Sequence, residues 1–176
     1  MKKILIVVDM QNDFVNGALG SKEATNIVPR AAEKIREFSG DIFVTYDTHF
    51  ENYLETSEGR MLPVPHCIKG TNGWQLNHEI AEALSDKKYT KVEKNTFGST
   101  ELPELIRKAM GDANFSVTLM GLCTDICVVS NALLLKAEFP EAEILVDADC
   151  CAGVTPESHQ AALITMKMCQ IHVIGE

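Results

Sequence analysis

Three side chains suited to acyl transfer stand far apart in the sequence: the carboxylate of Asp9, the ammonium of Lys94 and the thiol of Cys127. A cysteine attacks a carbonyl carbon as the thiolate, so it needs a base to take its proton and a neighbouring cation to favour the charged form. Thr124 reads as a helix N-cap, which places Cys127 about three residues into the following helix, where the helix N-terminus favours thiolate. Singly, each residue also has a plain structural reading. Cys127 beside Val128 and Val129 suits a buried core thiol. Asp9 suits a solvated strand end or a cap for the turn at Asn12 and Asp13, and Lys94 a surface lysine. Taken together they supply a nucleophile, a base and a cation, the set that acyl transfer requires.

A second group is chemically distinct. Asp47 and His49, two residues apart, are followed by His66. An Asp-x-His pair with a distant His suits zinc, manganese or iron, and reads otherwise as a solvated strand end with an unrelated histidine. Phe14, Tyr53 and Trp74 are candidates to line a pocket for a flat ring, or to pack in the core and loops.

These residues must be brought together by the elements between them. Apolar runs of strand length fall at Lys3–Val8, Ile42–Tyr46, Tyr89–Glu93, Ser116–Met120, Glu143–Val146 and Ile171–Ile174. Several are continuous and β-branched, as in parallel strands buried on both faces. Helical patterns fall at Ile27–Phe38, Leu102–Met110, Asp125–Ala137 and Pro156–Met168, the last with a first-turn proline behind a capping Thr155. Strands alternating with helices predict an α/β domain, a doubly wound parallel sheet of about six strands with helices on both faces, spanning residues 1–176 as one unit. Asp9, Asp47, Lys94 and the segment Gly121–Cys127 each follow a strand. All therefore gather on the carboxyl rim, where ligands bind in such sheets. The stretch from Phe50 to Asn77 is a long loop with Leu62, Ile68 and Trp74 available as anchors.

The segment Val8-Asp9-Met10-Gln11-Asn12-Asp13-Phe14 resembles the N-terminal signature of the isochorismatase-like hydrolases, nicotinamidases included. Gly121-Leu122-Cys123-Thr124-Asp125-Ile126-Cys127-Val128 resembles their nucleophile segment, and Lys94-Asn95-Thr96-Phe97-Gly98-Ser99-Thr100 their lysine segment. The resemblance covers essentially the whole chain. It implies a Cys127–Asp9–Lys94 triad that hydrolyses an amide through a thioester. It also implies a cis peptide between Leu122 and Cys123, with the backbone N–H groups of Cys123 and Cys127 facing the developing oxyanion. By the same resemblance Phe14 packs on the substrate, and Asp47, His49 and His66 hold a divalent metal (zinc, manganese or iron). The family's usual further His is replaced here by Glu55, and some nicotinamidases use a Glu nearer the final His, which makes Glu58 the counterpart. A carboxylate serves as a ligand to these metals. Nicotinamide is the leading substrate. Cysteine amidases of the same family that act on ureido or carbamoyl compounds are the rival, and they often carry an Arg in place of the metal, for which Arg60 is available. A homo-oligomer is implied as well.

Acidic residues outnumber basic ones 25 to 16, for a formal charge of -9, which disfavours nucleic acid and anionic membrane as partners. The apolar run after Met1 ends at Asp9, too short for an export segment, and no stretch approaches the roughly 20 apolar residues of a membrane span. The expected setting is cytoplasmic, with the 6 cysteines as thiols, none forming a C-x-x-C pair. A receiver-like signalling domain shares the sheet, the strand-end carboxylates and a lysine. It needs its phosphoacceptor Asp after the third strand, where this chain has Lys94. The glycine signatures of nucleotide-binding folds are missing.

Overall fold

The computed structural model describes all residues from Met1 to Glu176. Its centre is β1 (Lys2–Val8), in which the five consecutive apolar residues Ile4–Val8 are all buried, as a strand covered on both faces requires. It pairs in parallel with β2 (Asp41–Asp47) on one side and β4 (Phe115–Leu122) on the other. β3 (Tyr89–Lys94) completes one edge; β5 (Glu143–Ala152) and the short β6 (His172–Ile174) complete the other, in the order β3-β2-β1-β4-β5-β6. Every pairing is parallel. The chain winds outward from β1 in one direction and then, through β4, in the other, so the topological switch point lies between β1 and β4.

Helices α1 (Asn12–Val15), α2 (Lys22–Glu37) and α4 (His78–Leu84) pack together, as do α5 (Leu102–Met110), α6 (Val129–Glu138) and α7 (Pro156–Met168); the two groups cover the two faces of the sheet. Helix α3 (Ser57–Met61) belongs to the rim instead. The buried apolar side chains form one cluster of 45 residues.

Several boundaries differ from those expected. Helix α2 begins at Lys22 rather than Ile27, because the Ser21 hydroxyl accepts from Ala24 N–H at 3.0 Å and Pro29 is carried inside the helix. β5 continues past Val146 to Ala152, because Asp147 and Asp149 form ion pairs with Lys34 and Arg30 of α2. The loop from Phe50 to Asn77 contains a 3₁₀ turn at Tyr53–Glu55 and helix α3, and α4 follows it with Asn77 as its cap.

At the switch point Gly121 has φ 121°, and a Cβ there would lie 2.1 Å from the carbonyl oxygen of Val8. Only glycine allows β4 to approach β1 this closely. No helix is long and apolar enough to cross a membrane.

Candidate active site and metal centre

Asp9 leaves β1 with φ 47°, and its carboxylate is fully buried. Oδ1 accepts from the Thr45 hydroxyl at 2.6 Å. Oδ2 lies 2.6 Å from Lys94 Nζ and has no other hydrogen-bond partner. Lys94 is the last residue of β3, paired in register with Asp47 of β2. Its ammonium also lies 3.5 Å from Cys127 Sγ and 3.6 Å from Asp47 Oδ1. The sheet thus brings Asp9, Lys94 and Cys127 into direct contact across the switch point.

The electrostatics are those of a dry site. Burial would push the Lys94 ammonium towards its neutral form, but Asp9, Cys127 and Asp47 outweigh it and hold the pKa well above the usual lysine value. Burial pushes the Asp9 carboxyl up, Lys94 opposing and Asp47 adding to the rise. The Cys127 thiol is raised well above its ordinary value by burial and then by the charge of Asp9, with Lys94 opposing. The lowering of the thiol pKa expected from the helix start is therefore outweighed by burial and the charge of Asp9.

The turn that carries Cys127 is also not the capped α-helix the sequence suggests. Cys123, not Thr124, occupies the cap position, and residues Thr124–Val128 form a π turn that runs into α6. The carbonyl of Cys123 accepts from Ile126 at 3.1 Å and Val128 at 3.0 Å, bypassing the Cys127 N–H. The Cys123 N–H has no acceptor in the protein. A wide turn of this kind, common at functional sites, frees donors that an α-turn would engage. The Leu122–Cys123 peptide is cis, as the family resemblance implies.

Beside the cysteine, Asp47, His49 and His66 place their ligand atoms within 4.8 Å of one another. Asp47 Oδ2 is 3.0 Å from His49 Nε2 and 3.5 Å from His66 Nε2, while Glu58 Oε1 is 3.7 and 3.6 Å from the same two nitrogens. Ligands about 2.0–2.2 Å from a tetrahedral metal stand about 3.3–3.6 Å apart, so Asp47, His49 and His66 suit one divalent ion, with Glu58 at the edge of the cluster. His66 directs Nδ1 to the carbonyl of Val64 at 2.8 Å, which leaves the Nε2 lone pair free to ligate. Asp47 is held far below the usual carboxylate range: burial opposes this, and the hydrogen bonds of His49 and His66 overcome it. Glu58, on α3, is raised by burial against the pull of His49. Glu55 is exposed and takes no part. Arg60 is exposed and donates to the Glu55 carbonyl, away from the cluster.

Cys127 and the cluster of Asp47, His49, Glu58 and His66 line one cavity of about 730 Å³, with Asp9 and Lys94 buried behind it. Phe14 lines it and meets His66 edge-on at 5.5 Å. Tyr53 and Trp74 do not line it. Tyr53 is buried behind His49 and His66 and donates to the Leu62 carbonyl. The Trp74 indole N–H donates to Thr48 Oγ1 at 2.9 Å, and the ring packs on Tyr46 beneath Lys91. Phe97 and Ile126 line the cavity as well.

Residues with no assigned part in the sequence reading hold these groups in place. Gln11, fully buried, donates to the carbonyls of Asp47 and Trp74 and accepts from Asp47 N–H at 2.8 Å. Asn131, one turn after Cys127, donates to the Cys127 and Phe97 carbonyls and accepts from Ser99 N–H. Its signal in the sequence is an amide within the otherwise apolar start of α6.

The isochorismatase domain family matches residues 3–175. The chain belongs to it. The nicotinamidase/pyrazinamidase of Mycobacterium tuberculosis is 26% identical, with 98% of each chain covered. The crystal structure of nicotinamidase/pyrazinamidase PncA from Bacillus subtilis superposes with a TM-score of 0.83 at 29% identity, covering 98% of this chain and 99% of that one. The pyrazinamidase of Pyrococcus horikoshii in complex with zinc superposes at 0.84, with 28% identity and both chains fully covered at 100%. These likenesses and the family match indicate an amidohydrolase.

Proposed function

We propose that the protein hydrolyses nicotinamide to nicotinate and ammonia, with Cys127 as nucleophile. The observation that carries this reading is a buried ammonium in contact with both a carboxylate and a thiol, the thiol opening into the cavity that the Asp47, His49 and His66 cluster also lines. Asp9 takes the thiol proton, and Sγ attacks the amide carbon, placing negative charge on the carbonyl oxygen. The N–H groups of Cys123 and Cys127 receive that charge. Collapse of the adduct breaks the C–N bond, and Asp9 returns the proton to the departing ammonia, leaving a thioester. Asp9 then takes a proton from water, which attacks the thioester and releases the carboxylate and the thiol. Lys94 stays charged throughout and stabilises whichever of Asp9 or Cys127 is anionic.

Asp47, His49, Glu58 and His66 would hold a divalent ion of the zinc, manganese or iron type. Such an ion supplies a Lewis-acid position for a lone-pair donor on the substrate ring. Phe14 presents the flat apolar wall the ring packs on. This reading extends to a cytoplasmic setting, supported by six unpaired cysteines, and to a homo-oligomer.

Ammonia release from nicotinamide and pyrazinamide, with Cys127→Ala as control, tests the reaction, and hydroxylamine trapping of an acyl-enzyme tests the route. Release of ammonia from ureido compounds but from neither ring amide would transfer the assignment to that class.

A further inference from the structure

His159 lies outside the catalytic cluster and does not line the cavity, yet it is tied to the turn that carries the nucleophile. Its Nδ1 lies 2.8 Å from the hydroxyl of Thr124, which is fully buried and has no other side-chain partner. Thr124 directly follows Cys123 and opens the π turn that ends next to Cys127. The adjacent residue is tied to the same corner of the fold, since the Asp125 carboxylate accepts from Val154 N–H at 3.1 and 3.2 Å.

The sequence around His159 is built for this approach. Thr155 and Ser158 form a reciprocal capping box that fixes the start of α7. A Cβ at Gly153 would come within 2.9 Å of the backbone and Cβ of His159, so glycine is what lets the end of β5 pass so near the imidazole. The consequence is a half-buried histidine with one defined hydrogen bond, at a position where a leucine would fill the space as well.

We infer that His159 is a positioning residue: acting through the Thr124 hydroxyl, it holds the turn so that the Cys123 and Cys127 N–H groups point at one oxygen. The step it supports is the oxyanion contact of the proposed hydrolysis, so the kinetic part of the inference rests on that reading. The neutral imidazole accepts the Thr124 proton at Nδ1. A protonated imidazole has no lone pair there and leaves a buried hydroxyl proton without its acceptor, a costly arrangement. Burial lowers the pKa of His159, and the charges that face it, Asp125 on the turn and Glu176 at the C-terminus, oppose that shift. The neutral, accepting form is thus the working one.

Two measurements on the full-length protein test this. The first needs no substrate. Nitrogen-15 NMR should show a neutral His159 with Nδ1 as acceptor, and acid titration should move the Cys123 and Cys127 amide resonances with the midpoint of the His159 ring. In Thr124→Val that coupling should vanish. The second is kinetic. His159→Leu should lower kcat about tenfold with KM changed less than twofold. His159→Asn, whose amide oxygen can accept the same proton, should stay within about threefold of wild type and lose the acid limb that His159 contributes to kcat. Cys123 and Cys127 amides that ignore the His159 titration would overturn the inference whatever the substrate proves to be. An equal loss of kcat and melting temperature in the Leu and Asn variants would reduce His159 to packing. Coupled amides in a protein that turns over no ring amide would uphold the positioning role and refute the nicotinamide reading alone.

Discussion

Lys94 Nζ stands 2.6 Å from Asp9 Oδ2, both side chains essentially sealed from solvent. A buried ion pair is held together strongly once formed, and removing one partner strands the other charge. Lys94→Ala should therefore raise the Cys127 pKa further, since the one cation opposing Asp9 and Asp47 is gone. Thiolate absorbance titration, with Cys127→Ser as blank, reads this directly. A Cys127 pKa unchanged or lowered would separate Lys94 from the nucleophile. Asp9→Asn should reduce turnover by at least about a thousandfold, because the amide neither takes the thiol proton nor returns it.

The two glutamates of the rim should behave differently. Glu58→Gln should weaken metal binding by about 10- to 100-fold, as loss of a carboxylate from the cluster implies, whereas Glu55→Gln should leave it unchanged. Competition with a chromogenic chelator measures both. Equal effects would dissolve the distinction between the cluster member and its exposed neighbour.

Gln11→Ala should act at a distance from any ligand. It leaves the Asp47 N–H and the carbonyls of Asp47 and Trp74 without their buried partner, at a cost of about 1–3 kcal/mol for each group left unsatisfied. Both the melting temperature and the metal affinity should fall. A fall in stability with full metal affinity would show that Asp47 keeps its place without the clamp.

In metal-free protein the His66 pKa is raised: burial opposes the rise, and the Asp47 hydrogen bond overcomes it. A raised folded-state value means the stabilisation is fully present below about pH 6.5, the unfolded value, and is lost as pH rises through the folded value. Metal-stripped protein should accordingly melt at lower temperature as pH goes from about 6.5 to 8. With saturating zinc the slope should reverse, because rising pH removes the proton that competes with the ion for His66. Calorimetry with and without zinc supplies the comparison. Slopes of the same sign would mean that His66 does not exchange its proton for the metal.

The strands and the rim are legible because a strand buried on both faces leaves an uninterrupted apolar run, and the residue ending each run falls at the same end of a parallel sheet. β5 was read short for the converse reason: Asp147 and Asp149 break the run, and nothing local announces that Lys34 and Arg30 wait across from them. The π turn at Thr124–Val128 was invisible, since the same residues suit an α-helix and the destination of the Thr124 hydroxyl lies 35 positions away. Trp74 shows a related gap. Composition marks an aromatic, but its direction is set by Thr48 and Tyr46, which only the folded chain brings to it. Glu58 was separable from Glu55 only once α3 had turned it inward.

The candidate metal ligands lie between residues 47 and 66, yet the segment that carries His66 is latched from the N-terminal side. The Asp13 carboxylate accepts from Cys67 N–H at 2.8 Å, Asn12 N–H donates to Gln75, Asp13 N–H to Gly73, and the Asn12 amide to Asn72. Helix α1 is in place only when β1 has paired between β2 and β4. The cluster of Asp47, His49 and His66 is thus closed by contacts some 50 to 60 residues apart in sequence, whose closure entropy must be met before they stabilise anything. An ion bound by these three side chains would therefore report that the segment after β1 has docked on the long loop.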